Sequence, residues 1–270
     1  MTANALRDGD LETREAHLYQ LLDRAHDYGD PAAVAALQAL VRDYPDYHRS
    51  LYTRAMNQAD VIAAHTPPGE LREPLLEALD DTRYNCQAWA AMGCAAMGVR
   101  EAVPRLVELL DDRQWKVVEE SLRALGRLGD ASTVPALRPL LADEVDWVRL
   151  RSAEALADIG GPEALEALWY EFEHRRFPRI GPIASALAAF APEVIPRLIA
   201  AADDPDPNRR YWAAVALGST GDERVAATLE RLQAEDRGAT VFDGEVRAAA
   251  KKALRTLRRI QAAIAARAAG

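Results

Sequence analysis

The sequence predicts an all-α protein built from repeated pairs of helices. Ala and Leu are the most frequent residues, whereas Phe occurs only 4 times in 270 residues. This composition favours helix over sheet. In addition, Gly98, Gly129 and Gly160 follow one another at intervals of 31 residues, each at the end of a similar apolar stretch. A period of this length is typical of proteins that stack two-helix units.

Six copies of the second half of this unit can be aligned. They read NCQAWAAMGCAAMG (85–98), KVVEESLRALGRLGD (116–130), VDWVRLRSAEALADIGG (145–161), RIGPIASALAAFAPE (179–193), RRYWAAVALGSTGD (209–222) and EVRAAAKKALRTLRR (245–259). Each copy follows an earlier apolar segment at helical spacing, and in all but the copy at 179–193 an Asp-bearing turn lies between the two. Pro104, Pro135 and Pro196 fall in the first turn of these earlier segments, where a missing N–H costs little.

The alignment resembles a known family. The pattern of an Asp-containing turn followed by V-R-x-x-A-A-x-A-L-G-x-I-G is similar to the short HEAT-like repeats of the phycobilin-lyase type. The residues that carry this resemblance best are Asp146, Trp147, Val148, Arg149, Ala153, Leu156, Ile159 and Gly160. It implies an α-α superhelix, or HEAT-like α-solenoid, with six repeats of about 31 residues over 69–258.

Residues 1–68 lack the repeat but remain helical in pattern. We predict one helix over LETREAHLYQLLDRAHDYG, a second begun by Asp30 and Pro31, and a third over 47–65. We interpret these helices as an N-terminal cap over the apolar end of the stack. Residues 259–270 are predicted to be a basic, Ala-rich end of the last helix.

Charge and composition exclude several classes of function. The formal charge of −9 disfavours binding to nucleic acid or an anionic membrane. From Gly244 onward, however, the sequence has seven basic residues and only one acidic residue, Glu245. The last helix therefore carries a basic face, which we interpret as a capping surface. The first residues lack the apolar segment of a secretion signal, and charges interrupt every helix-like stretch. We therefore expect a soluble, cytoplasmic protein with no membrane contact.

Candidate catalytic and metal motifs are missing from the sequence. None of the 5 His precedes a Glu, which argues against the His-Glu pairs of diiron hydroxylases with HEAT-like folds. There is no H-E-x-x-H, C-x-x-C, G-x-S-x-G or Walker-type motif. Cys86 and Cys94 align with core positions, so we predict small buried hydrophobes. We expect no catalytic residue, no metal and no cofactor.

Charged columns are expected along the stack. Asp81, Asp112, Asp143 and Asp204 end the first helices, and Arg149, Arg210, Arg247 and, with a one-residue shift, Arg179 open the second helices. We predict that these residues cap helices and pair between neighbouring repeats. Trp115 and Trp147 are expected in turns between repeats. The segment 169–182 is expected to form a distorted turn, from which Trp169, Tyr170, His174 and Phe177 protrude.

The second helices supply the candidate site. We number each from its first core residue, Val148 in the third copy, as position zero; positions two, three, six and ten then face a concave groove. The predicted partner-binding residues there are Trp89, Met92, Glu120, Arg123, Arg151, Glu154, Tyr211 and Trp212. Aromatic anchors with charged surroundings are typical of protein interfaces. The alternative that Trp89 and Trp212 are wide core residues stays open.

These patterns favour a non-enzymatic scaffold or adaptor that binds a protein or peptide in the groove. One alternative is a HEAT-like DNA-binding enzyme of the alkylpurine DNA glycosylase type. Its phosphate contacts would be opposed here by Glu119, Glu120, Glu154 and Asp158. A second alternative, a bilin-lyase-like subunit, rests on the family resemblance alone. The identity of the partner is not specified by the sequence.

Overall fold

Helices account for nearly all regular structure in the computed structural model of the chain, which describes residues 3–83, 85–174 and 180–268. Within these ranges the β-type pairing is limited to one isolated bridge between Ala239 and Glu245. The chain divides into two compact units, Met1–Leu128 and Gly129–Gly270. The prediction of an all-α fold of helix pairs is confirmed.

Four helices precede the repeats. They are α1 (Leu11–Tyr28), α2 (Pro31–Arg42), α3 (Arg49–Met56) and α4 (Ala59–Ala64). Asp30 caps α2 as predicted, because its Oδ1 accepts hydrogen bonds from the backbone N–H groups of Ala32 (2.9 Å) and Ala33 (3.2 Å). The single helix predicted over 47–65 is wrong, since the chain turns at the exposed residues Asn57 and Gln58 and forms two short helices.

Helix pairs follow in the order that the repeat predicts. The first and second helices of successive pairs are α5 (Arg72–Ala78) and α6 (Cys86–Met97), α7 (Val103–Glu108) and α8 (Trp115–Leu128), α9 (Val134–Leu137) and α10 (Asp146–Ile159), α11 (Gly161–His174) and α12 (Gly181–Leu187), α13 (Ile195–Ala201) and α14 (Pro207–Ser219), and α15 (Ala226–Glu235) and α16 (Val246–Ala268). The domain limits 1–68, 69–258 and 259–270 stay a prediction. Helix α16 is continuous across residues 258 and 259.

Several first helices are shorter than their apolar pattern suggests, because their last turns are 3₁₀-helical. Such turns follow α7 at Leu109–Asp111 and α9 at Arg138–Ala142. In the second case Pro139 has no N–H to continue the α-helical hydrogen bonds. Further 3₁₀ turns lie at Ala3–Leu6, Tyr44–Asp46, Arg100–Ala102, Ala131–Thr133, Ala188–Phe190 and Glu223–Val225.

Glycines end the second helices at the positions that set the period. Gly98, Gly129, Gly160 and Gly221 all have positive φ, between 53° and 73°. An L-residue with a Cβ pays for this conformation, whereas glycine does not. The spacing of these glycines is thus explained by a positive-φ backbone conformation that recurs at the end of four of the six helix pairs.

The core of the first unit joins the N-terminal helices to the first two pairs. Helices α3 and α4 pack against α6, and α2 contacts α5. Tyr52 and Met56 of α3 are buried, as is Ile62 of α4. These contacts place the segment 44–53 beside the start of α6.

In the second unit α14 is enclosed by its neighbours. It contacts α12, α13, α15 and α16. Gly218 of α14 approaches Ala253 of α16 so closely that a Cβ on Gly218 would lie 2.5 Å from the Ala253 Cβ and 2.6 Å from its Cα. The two backbones can therefore meet only because residue 218 has no side chain.

Two predictions about tryptophans and their helices are wrong. Trp115 is the first residue of α8 and Trp147 the second of α10, so neither lies in a turn. Trp115 is 63% exposed. Trp169, predicted to protrude, is buried within α11, which continues regularly to His174. Phe177 and Arg179 lie outside the described residues.

No helix in the described ranges is both long and apolar enough to span a membrane.

Candidate partner-binding faces of the second helices

The Asp column shapes the turn within each repeat. The Oδ1 atoms of Asp112, Asp143 and Asp204 accept hydrogen bonds of 2.7–2.8 Å from the backbone N–H two residues ahead. Asp81 does the same with Arg83 at 2.9 Å. This local bond fixes the tight turn that leads into the second helix. The recurrence of Asp at this position is therefore explained by its role in the turn.

A side chain near the start of the second helix holds this turn in place by donating a hydrogen bond to it. Arg149 Nη1 donates to the Asp143 carbonyl at 2.6 Å, and Arg210 Nη1 donates to the Asp204 carbonyl at 2.8 Å. Gln87, at the equivalent position of α6, donates to the Leu79 carbonyl at 3.0 Å. These side chains satisfy backbone acceptors at the ends of first helices.

Pairing between repeats occurs mainly on the first helices, which corrects the predicted ladder. Arg105 Nε lies 2.9 Å from Asp80 Oδ1, and Arg231 Nη2 lies 2.6 Å from Asp203 Oδ1. In the Arg column, Arg210 reaches the next repeat, where its Nε lies 2.7 Å from Asp236 Oδ2. These pairs are mostly exposed and contribute little individually.

In the first unit, Trp89 and Met92 are half-buried on α6. Lys116 Nζ lies 5.7 Å from the centroid of the Trp89 ring and 5.6 Å from that of Trp115. This ammonium is within the range of a cation–π interaction with both rings. Trp89 is thus neither a core residue nor a freely projecting anchor.

Glu120 does not lie on the surface where the repeat numbering placed it. It is 2% exposed, and its Oε1 accepts a hydrogen bond of 2.6 Å from Lys116 Nζ. Desolvation lowers the pKa of Lys116, but the hydrogen bonds to Glu120 and Glu119 outweigh it and leave that pKa above its ordinary value. The exposed residue of this cluster is Arg123, whose Nη2 lies 3.2 Å from Glu119 Oε1.

In the second unit, Arg151 and Glu154 form an ion pair on α10. Arg151 Nη1 donates to Glu154 Oε2 at 2.7 Å. Asp158, one turn further along, has a pKa above its ordinary value because of partial desolvation and the charge of Glu154. The face of α10 is therefore acidic on balance.

Tyr211 and Trp212 form the aromatic part of the second unit. Their rings meet edge to face, with centroids 5.1 Å apart. A Cβ on Gly181, at the start of α12, would lie 3.1 Å from Trp212 Cη2. Trp212 thus packs one edge against the neighbouring repeat and remains half-buried.

Other exposed apolar side chains escaped the repeat numbering. Trp115 is 63% exposed, and Val241 and Phe242 are each at least 70% exposed; Tyr170, which was predicted to protrude, is 45% exposed. The exposure of Trp115 could have been predicted from its place two residues before the core residue Val117, at the start of a helix. Val241 and Phe242 lie in the loop before α16, which no copy of the repeat aligns.

The cysteines and acidic residues show no metal site. Cys94 is buried, which raises the pKa of its thiol to about 12, whereas Cys86 is only half-buried. Across the described ranges no cluster of three His, Cys, Asp or Glu side chains has the arrangement to hold a metal ion.

Comparison with known proteins identifies the family. HEAT repeats match residues 72–157, 120–170 and 182–255, which together make up more than half of the chain. The chain belongs to the HEAT-repeat family. No curated protein matches it.

Other structures resemble parts or most of this chain. A chain of a homology model of the full-length AP-3 complex in an intermediate open conformation has a TM-score of 0.52 and 14% identity, over 94% of this chain and 50% of that chain. The complex of CpcE and CpcF of phycocyanin lyase from Nostoc sp. PCC7120 has a TM-score of 0.48 and 21% identity, over 84% of this chain and 92% of that one. An engineered protein has a TM-score of 0.47 and 21% identity, over 95% and 77%. At these identities the likeness is one of fold alone.

Proposed function

We propose that this HEAT-repeat chain is a non-enzymatic scaffold that binds a protein or peptide partner through its second helices. The observation that carries the proposal is the recurrence, in both units, of a half-buried tryptophan at the same position of a second helix. Trp89 has Lys116 of the adjoining helix near its ring, and Trp212 has Tyr211 against it. HEAT repeats typically mediate protein interactions, because stacked units present an extended surface.

The charges on this surface favour a partner with basic spots. Glu154 and Asp158 are exposed on α10, and Asp158 forms no ion pair with any residue that the structure describes. Acidic side chains repel phosphate, so the same charges oppose the DNA-binding alternative. Complementary charges would set the orientation and the association rate of a basic partner more than its affinity.

The proposal is tested by affinity capture from the native cell extract, followed by mass spectrometry. Alanine at Trp89 and Trp212 should reduce recovery of the specific partner at least about tenfold, since aromatic anchors dominate interface energies. Tyr170→Ala, which removes an exposed aromatic residue from a first helix, is the matched control and should leave recovery unchanged.

A second variant guards against loss of folding. Arg123→Gln with Glu154→Gln alters exposed side chains and conserves net charge, so the helical circular dichroism signal should not change. It should slow association and weaken the salt dependence of partner binding. Unchanged capture by both variants would assign the interaction, if any, to another surface. A shift of duplex DNA in a gel at low salt would instead favour the DNA-binding alternative.

A further inference from the structure

In the second unit, four consecutive second helices present neighbouring accessible faces. Helix α12 packs against α10 and α14, and α14 packs against α16. Position six of the repeat, counted as above from the first core residue, is accessible on each of them. The four residues at this position are Glu154, Ser185, Val215 and Lys252. A Cβ on Gly181 of α12 would lie 3.1 Å from Trp212 Cη2 of α14, so the accessible faces of these two helices meet.

The middle of this surface carries no charge. Helix α12 contains no charged residue, and the charged residues of α14 are Arg209 and Arg210 in its first turn. Arg209 is bound to Asp204 and Arg210 to Asp236, so both guanidinium groups are held by their own repeat or the next one. In a chain with 28% charged residues, two adjacent helices thus form an uncharged floor between α10 and α16.

The helix on the α10 side of this floor is acidic. Asp158 is exposed there, and it forms no ion pair with any residue that the structure describes. Glu154 is exposed one turn earlier and is paired with Arg151. The charge that α10 leaves for a partner is therefore that of Asp158.

The helix on the other side is basic. Lys252, Arg255 and Arg259 recur at three- and four-residue intervals, so they lie on one side of α16, and all three are exposed. None of them forms an ion pair within the described part of the chain. The pair on this helix joins Arg247 to Glu245 at its start, about two turns before Lys252. These cations can meet a partner without breaking an internal pair.

The distance across the surface suits a short extended peptide. Packed helices lie about 8–10 Å apart, so the three intervals from α10 to α16 span about 25–30 Å. An extended chain advances about 3.3 Å per residue, so about eight or nine residues cover this distance. Ser185 and Ala189, the exposed residues of the middle repeat, are small and let a peptide backbone approach closely.

We propose that this surface binds an extended segment of a partner protein with basic side chains at one end and acidic side chains at the other. The basic end lies over Asp158 and the acidic end over Lys252, while an apolar side chain between them packs against Trp212 and Val215. Complementary charges select such a partner and fix its position, and they disfavour a chain that is negative throughout, such as nucleic acid. The inference rests on the proposed scaffold function and specifies the class of partner.

The experiment selects peptides from a random 12-residue library displayed on phage, with the full chain as bait. A helix of this length spans only about 18 Å, so a peptide that reaches both ends must be extended. We expect enriched peptides to carry basic and acidic residues about seven or eight positions apart, with an apolar residue between them. Selection of no peptide, or of peptides without separated charges, overturns the proposal.

Charge reversal at either end makes the test specific. Asp158→Lys should select peptides that are more acidic, and Lys252→Glu should select peptides that are more basic. Each variant should bind a fluorescein-labelled copy of the peptide selected by the wild type at least about tenfold more weakly in fluorescence anisotropy. Glu in place of the basic residues of that peptide should restore its affinity for Asp158→Lys. If both variants select the same peptides as the wild type, the peptides bind elsewhere and the proposal fails.

Glu193→Lys and Arg267→Glu are the matched controls, because they make the same changes in net charge at exposed positions outside this surface. Glu193 precedes α13, and Arg267 lies about 22 Å further along α16 than Lys252. Neither control should alter the selected peptides. Circular dichroism should show the same helical signal for all four variants, since the substituted side chains are exposed.

Partner capture and peptide selection distinguish failure of this proposal from failure of the scaffold function. Capture that depends on Trp89 and Trp212, without enrichment of charge-separated peptides, retains the scaffold and overturns the partner class. Capture unchanged by the tryptophan variants overturns the scaffold function, whereas peptides that respond to Asp158 and Lys252 still support this surface. Duplex DNA that displaces the labelled peptide and fails to bind Lys252→Glu would assign α16 to nucleic acid and overturn the proposal.

Discussion

Helices α6 and α14 carry a tryptophan at the same repeat position, but the two side chains have different neighbours. Trp89 of α6 lines an open cavity beside Tyr44 and Tyr52. Trp212 of α14 rests against Gly181, at the start of the preceding second helix. Equivalent positions in the repeat therefore have different surroundings, because the surroundings are formed by the neighbouring helices and loops, which differ between the two repeats.

The glycines of the same two helices show the same contrast. A Cβ on Gly93 of α6 would meet Leu75 Cδ2 at 2.5 Å and Met56 Sδ at 3.1 Å, both at the ends of flexible side chains. A Cβ on Gly218 of α14 would meet backbone atoms of Ala253 instead. The packing around α6 can adjust by rotamer changes, whereas that around α14 requires the backbone to move.

Gly218→Ala should have the largest effect. We expect a loss of about 3 kcal/mol in the free energy of unfolding, because α14 and α16 must separate. Gly93→Ala should lose only about 1 kcal/mol, since Leu75 and Met56 can shift. Urea titrations followed by circular dichroism would measure both. Equal losses would remove the contrast between the two helices.

Trp212→Ala should rank next. Its ring packs against the neighbouring repeat and against Tyr211, so its loss should cost about 2–3 kcal/mol. Trp89→Ala should cost about 1 kcal/mol or less, because the ring already faces open space and its contact with Lys116 is long. The same denaturation assay ranks the two variants, and the reverse order would show that Trp89 belongs to the core.

Asp81→Asn tests the turn before α6 through its pH dependence. Hydrogen bonds from the Arg83 side chain, more than those from the Arg83 N–H and Tyr44, lower the pKa of Asp81 to about 2 despite partial desolvation. The Asp81 side chain is 9% exposed. The lowered pKa corresponds to about 2 kcal/mol of stability, which is complete above the unfolded-state pKa near 3.8 and is lost as the pH falls through about 2.

The variant should therefore be about 2 kcal/mol less stable than the wild type at pH 7, and the difference should shrink as the pH falls from about 4 and vanish below about pH 2. Asp204→Asn is the counterpart before α14. The Asp204 carboxylate bonds to the Asp206 N–H and to Arg209 but has no tyrosine partner, so we expect a loss of about 1 kcal/mol. A pH-independent difference for Asp81→Asn would contradict the assigned contacts.

Gly181→Ala should have the smallest effect and probes the contact with Trp212 directly. Alanine raises helix propensity by about 1 kcal/mol, but its Cβ would crowd the ring at 3.1 Å. The substitution should therefore be more favourable by about 1 kcal/mol in a Trp212→Ala background than in the wild type. A double-mutant cycle measures this coupling, and additive effects would show that the two residues do not meet.

The repeat and its local devices could be predicted because they depend on residues close in sequence. The positive φ of Gly160, the first-turn proline at 135 and the capping by Asp30 each involve neighbours within a few positions. These local features form in the same way whatever the helix pair packs against. The break at Asn57 and Gln58 was missed because no proline or glycine marks it.

The candidate site was predicted less well, because the position of a residue on its own helix does not reveal which side chains of neighbouring helices pack against it. Glu120 occupies an outward position by number, yet Lys116 and the packing around α8 bury it. Arg123, one turn further along, is exposed as expected. The eight predicted partner-binding residues stay a prediction as a functional set.

The sequence by itself determined that this chain is all-α, that its unit is a helix pair of about 31 residues, and that it resembles HEAT repeats, since spacing and turn chemistry are local. Only the tertiary structure decided which repeated positions are surface, which meet a neighbour's backbone, and where a cavity opens. The cavity is lined by residues from 44–53 and by Arg83, Cys86 and Trp89, which are distant in sequence and meet through packing. Contacts of that kind depend on the shape of both partners, and periodicity in one helix carries no information about the other.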